Sequence, residues 1–387
     1  MKYSLSTSPW DIPLATRISE FHSAKKAGKK LAVLLYPDDN KASSFRYRGY
    51  NIYQTTKTSK KWQLIYFFLP EIDAVAKLVE ETDLLIFGRI DKWGPALDEL
   101  SIKAKAHGAK VLQDLDDCIC GPYYIKDAFN LISPDYADQE YWINTSAHYE
   151  LISYLADGFV TTNDYLGKKL SITHNNKPYR VIKNFLNQEQ IDYANELNAE
   201  DASDNDGQFT IGYFSGSHTH VTDFEVVYPE LIDFLSDHKD AKLKIVGYMQ
   251  LPDSADKYID NGQIELAPIV DFLTLQKLVK NVTVNIAPLD DNIFANCKSD
   301  LKFYEAGLVK TPTIASPTFA FKKAIKSGET GFLARPGEWY DTLCRLYQDS
   351  DLRKSIAENA YNYCVKTYAP EKCLAEIEEA YDSFIKN

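Results

Sequence analysis

The chain has 387 residues, 43 of them basic and 55 acidic, for a net charge of −12 at neutral pH. That balance argues against a sequence-independent nucleic-acid binder, which relies on clustered positive charge. At 45% apolar, 13% aromatic and 25% charged residues, the composition is that of a soluble globular protein long enough for two domains. No apolar run approaches the roughly 18 residues that span a bilayer. The opening MKYSLSTSPWDIP has no signal-peptide core, so a cytoplasmic address is expected. The six cysteines, at 118, 120, 297, 344, 364 and 373, lack the paired C-x2-C spacing of a structural zinc site and are too few for a disulfide scaffold. Cys118-x-Cys120 is the one close pair; it could hold a metal at a strand end, but reduced thiols are the simpler reading.

In chain order, strand-like runs fall at Leu31–Tyr36, Gln63–Leu69, Asp83–Ile90, Lys110–Asp114, Gly158–Thr162 and Arg180–Asn184. Helical patterns lie between them at Glu71–Glu80, Pro95–His107, Ala147–Ala156 and Asp164–Ser171. Strands alternating with helices predict a parallel sheet with crossover helices, one doubly wound domain over residues 1–197. The stretch 198–207, NAEDASDNDG, has no apolar residue larger than alanine and reads as a linker. The alternation then restarts over 208–369. Strands are expected at Phe209–Phe214, Leu243–Gly247, Ile264–Leu266, Val282–Ala287 and Thr313–Ser316, with helices at Val226–Asp237, Leu273–Lys280 and up to Leu308. Helices at Thr342–Gln348, Ser350–Thr367 and Pro370–Ile385 close the chain. Neither half has the G-x-G-x-x-G fingerprint, so a dehydrogenase is not expected.

The segment 281–316 carries the densest chemistry. If one helix holds Lys298, Lys302 and Glu305, their i, i+4, i+7 spacing puts all three on one face. Two cations near a helix N-terminus suit a diphosphate, and a carboxylate suits two vicinal hydroxyls. The plainer alternative is a solvated face with an i,i+3 ion pair between Lys302 and Glu305. The restart strand at 209–214 runs into Ser215-Gly216-Ser217-His218-Thr219-His220. Small residues there let backbone N–H groups approach a phosphate, and His218 or His220 adds a donor or a charge. A tight turn with Asp223 capping the next helix is the alternative.

In the first half, Arg46 and Arg48 lie beyond the first strand, and Arg89 ends the third. Open α/β sheets place ligands at these carboxyl ends, where arginines can clamp a diphosphate or an acceptor phosphate. A solvated helix start is the competing reading. Asp116 and Asp117 follow the fourth strand. Clustered carboxylates there can orient or deprotonate an acceptor hydroxyl, or they can simply cap a helix. A D-x-D aspartyl-phosphate site is discounted because the motif is on the fourth strand rather than the first. Lys25, Lys26, Lys29 and Lys30 form either a peripheral membrane contact at the inner face or a solvated helix end.

Residues 209–385 resemble the nucleotide-sugar-binding half of a GT-B glycosyltransferase, nearest to the retaining family 4 enzymes that build bacterial polysaccharides. The matching pieces are IGYFSGS, VNIAPL and KSDLKFYEAGLVKTPTIAS. The resemblance implies two Rossmann-like domains facing one another across a cleft, with the last helix, 370–387, packing back on the first. It makes Glu305 the ribose ligand in the E-A-x-x-x-G-x-P context, and gives the diphosphate to Ser215–His218 with help from Lys298 or Lys302. The sequence departs from the family's pattern at three places. Cys297 stands where the family has a glutamate touching the donor sugar. Lys310 stands where it has a glycine, and the arginine and lysine that usually follow the first strand are absent. Asn292, Asn296 or Lys298 are the residues expected to take over those contacts. The resemblance also makes His148 a candidate for the donor sugar, although a helical histidine is more often packed.

The expected function is therefore transfer of a sugar from a nucleotide-diphosphate donor to a glycan, lipid-linked or protein-linked acceptor. No cofactor and no metal are expected, because lysines and helix N-termini neutralise the leaving group; Lys298, Lys302 and Asp116 are the catalytic candidates, and retention follows if the family's stereochemistry carries over. The alternatives are a catalytically silent GT-B subunit supporting a partner transferase, and a nucleotide-sugar epimerase or hydrolase on the same fold.

Overall fold

The structure is a computed structural model that describes residues 8–37, 43–91, 94–121, 136–199, 207–216 and 221–386. The first half builds a six-stranded, all-parallel sheet from β1 (Lys30–Tyr36), β2 (Trp62–Phe68), β3 (Leu84–Gly88), β4 (Lys110–Leu115), β5 (Gly158–Thr161) and β6 (Tyr179–Val181), in the order β2-β1-β3-β4-β5-β6. The second half builds another from β7 (Thr210–Ser215), β8 (Lys242–Gly247), β9 (Ile264–Ala267), β10 (Val284–Ala287), β11 (Thr313–Ala315) and β12 (Phe332–Leu333), in the order β12-β11-β10-β7-β8-β9. Both are open sheets flanked by helices, and together they form the GT-B fold. β3 and β10 are buried along their whole length and β1 from Leu31 to Tyr36, which is why they read as unbroken apolar runs rather than alternating ones.

Strand order fixes where a ligand can sit. In each sheet the chain winds first to one side and then to the other, and the crossovers diverge at one point, leaving a crevice outside the carboxyl ends of the strands. In the first sheet the reversal lies between β1 and β3; in the second it lies between β7 and β10. Arg46 follows β1 and Arg89 follows β3, while Ser215 ends β7 and the 288–302 segment follows β10.

Helices start and stop where local chemistry dictates. Asn163 caps Asp164–Thr173 by accepting from the Leu166 N–H, and Asp271 caps Phe272–Lys280 by accepting from Leu273 and Thr274. Pro95 and Pro370 occupy first positions, where the missing N–H leaves nothing unpaired. The last helix, Pro370–Ile385, lies against the first sheet: Asp382 accepts from Lys30 Nζ at 2.9 Å and from Trp62 Nε1 at 3.0 Å, and the Tyr381 ring meets Trp62 edge-on.

Several elements differ from the sequence expectation. Leu14–Lys26 is helical, its Phe21 and Ala24 buried and Lys25 and Lys26 in its last turn. Lys25 and Lys29 donate to the carbonyls of Glu81 and Lys57, and Lys30 pairs with Asp382. Three of the four basic residues read as a membrane patch thus bind their own chain. Residues Ser43–Thr56 form a helix with a π-helical turn at Arg46–Tyr50, not a solvated helix start. Its buried face is aromatic and β-branched, which hid it from a 3.6-residue pattern. The expected linker begins late, because Gln188–Ala199 is a helix that buries Ala194 and Leu197; the rest of the stretch to 206 lies outside the described residues.

Gly247 shows how tightly the second switch point is built. Its φ is +102°, and a Cβ there would stand 1.9 Å from the Ser215 carbonyl oxygen. Gly247→Ala is therefore expected to destabilise the fold by at least about 2 kcal/mol, from positive-φ strain and displacement of Ser215 together. Urea denaturation checks this; a loss under about 0.5 kcal/mol would mean that the neighbouring strand ends yield freely.

Candidate active site

Three segments meet where the two switch points face one another. After β10 the chain forms a short helix, Ile293–Cys297, capped by Asn292, whose side chain accepts from the Ala295 N–H. It then leaves helical geometry at Lys298 (φ −68°, ψ 157°) and resumes as Leu301–Leu308. The continuous helix expected through Lys298, Lys302 and Glu305 is thus broken, and Lys298 does not share a helical face with the other two. The break is held from the opposite half: Asn163 Nδ2 donates to the carbonyls of Cys297 and Lys298 at 2.9 and 3.0 Å, and Asn184 Nδ2 donates to Ser299 Oγ at 3.1 Å. Lys298 Nζ rests 4.9 Å from the Phe294 ring centre.

Glu305 does not pair with Lys302 either. Its Oε1 accepts from Arg46 Nη2 at 3.0 Å, Tyr47 Oη at 2.6 Å and Gln190 Nε2 at 2.9 Å. All three donors come from the first half of the chain. Arg46 is itself sandwiched, its guanidinium 4.1 Å from the Tyr47 ring centre and 4.6 Å from that of Phe272. Its Nη1 is buried without a hydrogen-bond partner among the described residues.

Lys302 is the most unusual group in the cleft. Its stem is part-exposed, but its ammonium is buried and has no hydrogen-bond partner among the described residues. It lies 4.7 Å from the centre of the Tyr213 ring, a cation–π contact that recovers part of the lost hydration. Burial pushes its pKa down to about 8, with Asp223 opposing and Lys298 adding to the fall. Asp223 sits within the helix Val221–Glu225 and accepts from the Asp290 N–H, so it is not the helix cap considered from sequence.

The other candidates divide clearly. Arg48 is buried and forked onto Asp114, with Nε and Nη2 each 2.8 Å from a carboxylate oxygen, and it also donates to Asn184 and the Ile182 carbonyl. It braces β4 rather than offering itself to a phosphate. Arg89 has φ +46°, a conformation a non-glycine residue adopts at some expense. Its guanidinium reaches Asp116 at 2.8 Å and Asp117 at 3.3 Å. Burial raises the Asp116 pKa, Arg89 opposes it, and Asp117 adds to the rise. The two aspartates are thus paired with an arginine rather than capping a helix among the described residues. Asn296 donates to Asp291 and the Asn292 carbonyl and accepts from the Phe319 N–H, so it, like Asn292, is engaged in shaping the loop. Ser215 ends β7 and Gly216 follows it; Ser217, His218 and His220 lie outside the described residues. His148 meets the Asp91 carbonyl through Nδ1 at 2.8 Å.

Cys297 is fully buried, and its thiol pKa is driven far up by a hydrogen bond with Cys118 and by burial. It is a neutral thiol and supplies none of the charge of the glutamate it replaces. Lys310 has φ +58°, the left-handed conformation that explains a glycine at this place in the family pattern; here an ion pair with Glu358 at 2.7 Å accompanies it. Sequence reading missed Tyr47, Gln190, Asn163 and Asn184. Tyr47 had a faint signal, lying between the two arginines, but the others act across the cleft and leave no local pattern.

These features define an α/β protein of two facing Rossmann-like sheets with a buried cation, a hydrogen-bonded carboxylate and a strand-end turn at the cleft. Residues 209–349 match the family model described as Glycosyl transferases group 1, so the chain carries a glycosyltransferase group 1 domain and the expectation of a sugar-transferring enzyme stands. No curated protein matches the chain. Among solved structures, a glycosyltransferase from Rickettsia africae has 16% identity and a TM-score of 0.61, with 93% of this chain and 100% of that one covered. Anabaena HepE, solved in complex with UDP, has 15% identity and a TM-score of 0.58 over 92% and 100%. Sucrose-phosphate synthase from Thermosynechococcus elongatus has 12% identity and a TM-score of 0.59 over 92% and 100%. At these identities the likeness is one of fold.

The lowered pKa of Lys302 carries a stability consequence. The fold disfavours the charged form, so the penalty is complete below pH 8 and disappears as pH rises toward the usual 10.5. The difference corresponds to at most about 3 kcal/mol. Lys302→Met is expected to be more stable than wild type at pH 7 and to lose the rise in stability between pH 8 and 10.5. Chemical denaturation at several pH values measures both; a variant that is less stable at pH 7 would mean the ammonium is satisfied in solution.

Proposed function

We propose that the protein transfers a sugar from a nucleotide-diphosphate donor, held by the second sheet, to a glycan, lipid-linked or protein-linked acceptor held by the first. The observation that carries this reading is Lys302: a buried ammonium with no hydrogen-bond partner among the described residues, in the segment that matches the glycosyltransferase group 1 model, at a sheet's switch point. A buried charge that no hydrogen-bonded counter-ion satisfies is costly, and function is the usual reason for keeping one. A diphosphate beside the Leu301–Leu308 helix N-terminus would supply the missing anion. As the bond to the sugar breaks, negative charge grows on the leaving phosphate, and a desolvated lysine stabilises it without reorganising solvent. A lysine and a helix N-terminus thus do the work that a metal performs in other transferases. Retention of the anomeric configuration belongs to the same reading.

Glu305 would take the ribose hydroxyls, with Arg46, Tyr47 and Gln190 yielding or sharing its oxygens. Several fold neighbours were solved with UDP: HepE, and the pneumococcal O-GlcNAc transferase GtfA with UDP and GlcNAc. Uridine nucleotides are therefore the first donors to test. Asp116, buried beside Arg89 and Asp117, is the carboxylate nearest in chemistry to an acceptor base. Action in the cytoplasm, on a bacterial surface glycan, remains part of the proposal.

One observation favours a second reading, the catalytically silent subunit. Cys297 is neutral and buried where a donor-sugar carboxylate is expected, and Glu305 is already engaged from the other half. The two readings separate on turnover: a silent subunit never releases nucleotide from a nucleotide sugar in the presence of any acceptor.

Saturation with the right nucleotide at 100 times its Kd should add about 2.7 kcal/mol of apparent stability, visible as a thermal shift. UDP, GDP, dTDP and CDP are the nucleotides to screen. Lys302→Met should weaken binding about 10- to 100-fold, the worth of a charged hydrogen bond. Because diphosphate favours the protonated lysine, wild-type affinity should fall above pH about 8, by at most tenfold per pH unit. The variant should show no such fall in calorimetric titrations. If no nucleotide shifts the melting temperature, the transferase proposal fails.

A further inference from the structure

On the first half of the chain, away from the cleft contacts just described, three side chains of metal-binding type converge. Cys120 follows β4, Glu150 lies on the helix Tyr136–Leu155, and His174 ends the helix Asp164–Thr173. Cys120 Sγ is 3.3 Å from Glu150 Oε2 and 3.9 Å from His174 Nε2, and His174 Nε2 is 3.2 Å from Glu150 Oε1. Cys120 and His174 are buried, and Glu150 is part-exposed. We propose that Cys120, Glu150 and His174 form a binding site for a divalent metal of zinc type, structural in role and separate from the donor site.

Four features of the geometry support it. Tetrahedral zinc bonds of about 2.3 Å to sulfur and about 2.0–2.1 Å to nitrogen and oxygen imply ligand-to-ligand edges of about 3.4–3.6 Å. The Cys120–His174 separation and the contacts each makes with one or other Glu150 oxygen lie close to that range, and one ligand atom from each residue falls within 4.8 Å of the others. Second, His174 Nδ1 lies 2.8 Å from the Leu170 carbonyl, so its N–H donates outward and the Nε2 lone pair faces the cluster. A ring held by its other nitrogen in this way is the usual support of a metal ligand. Third, that lone pair then faces a carboxylate, two acceptors whose juxtaposition requires either a cation or a proton between them. Fourth, thiolate and carboxylate together carry two negative charges, matching a dication, and the mixed sulfur, nitrogen and oxygen set suits zinc over magnesium or calcium.

The part-exposed Glu150 leaves room for water as a fourth ligand. Binding would replace the thiol proton by the metal and release it to solvent, with no change of oxidation state. The competing account is a metal-free network in which the Cys120 thiol donates to Glu150 and a protonated His174 pairs with the same carboxylate. In either case the three groups tie β4's exit, just after Asp116 and Asp117, to two helices.

The test starts from the full-length protein, freed of adventitious metal by chelator and titrated with zinc and, separately, cobalt. Expected results are one tightly bound zinc per chain, a rise in melting temperature on zinc addition, and a thiolate-to-cobalt charge-transfer band. Cys120→Ser and His174→Gln should each abolish the band, while Cys118→Ser keeps it. Should those buried variants misfold, Glu150→Gln, on the more exposed ligand, is expected to weaken metal binding at least tenfold in a folded protein. Folded wild-type protein that takes up no stoichiometric zinc and shows no cobalt band overturns the proposal, as does a band that survives Cys120→Ser.

Discussion

The cleft is organised by hydrogen bonds that run from one sheet to the other. Asn163 holds the carbonyls of Cys297 and Lys298, Asn184 holds Ser299, and Arg46, Tyr47 and Gln190 converge on one oxygen of Glu305. Each of these contacts uses an acceptor from the 297–305 segment and a donor from the first half of the chain. The break in helical geometry at Lys298 exists because those carbonyls are satisfied from across the cleft rather than by the next turn. That break sets the start of the Leu301–Leu308 helix, and with it the direction of Lys302. The donor side is therefore not a self-contained pocket; its shape is completed by the opposing sheet.

Such an arrangement couples position to opening. Separating the sheets would leave Glu305, two backbone carbonyls and the Ser299 hydroxyl to water, each exchange being nearly neutral in free energy. Domain motion is inexpensive in hydrogen bonds as long as water can enter. Lys302 is a different case: its ammonium has no hydrogen-bond partner among the described residues, and its neighbours Tyr213, Asp223 and Lys298 all belong to the second half. An anion bound between the sheets and touching both halves would make closure favourable. Ligand-driven closure of this kind needs only that the closed form gain more from the ligand than the open one does, and it excludes water from a reaction in which hydrolysis competes with transfer.

The fold was largely legible because its cores are parallel sheets, whose strands are apolar on both faces and stand out from the polar helices between them. Eleven of the twelve strands among the described residues sit at or within about three residues of the expected runs, β6 starting earlier and ending sooner than expected; β12, two residues long, has too little sequence to register. The site was legible by chain position and not by pairing. Arg46, Lys302 and Glu305 were all singled out, yet i,i+3 arithmetic joined Lys302 to Glu305, whereas Arg46, 259 positions away, is the actual partner. Spacing rules describe neighbours on one helix; they are silent on a contact made by folding one domain against another. Arg48 and Asp114 illustrate the same limit, since a buried bidentate pair and a phosphate clamp ask for the same residue.

The departures from the family pattern are best understood together. Against that pattern a carboxylate is lost at Cys297, the two cations usual after the first strand of this half are absent, and Lys310 adds a cation where the pattern has a glycine. Removing one negative and two positive charges and adding one positive charge leaves the formal charge unchanged, but Lys310 is paired with Glu358. The redistribution is not neutral in effect. A cation after a strand is hydrated and always charged, whereas one whose ammonium is buried against Tyr213 has its pKa brought to about 8, within reach of physiological change. Lys302 remains as a buried cation of the cleft: below pH 8 it is already protonated and meets an anion without proton uptake, and only above that pH does anion capture draw a proton from solvent. The Cys297 thiol, neutral and buried, does not compete for that proton.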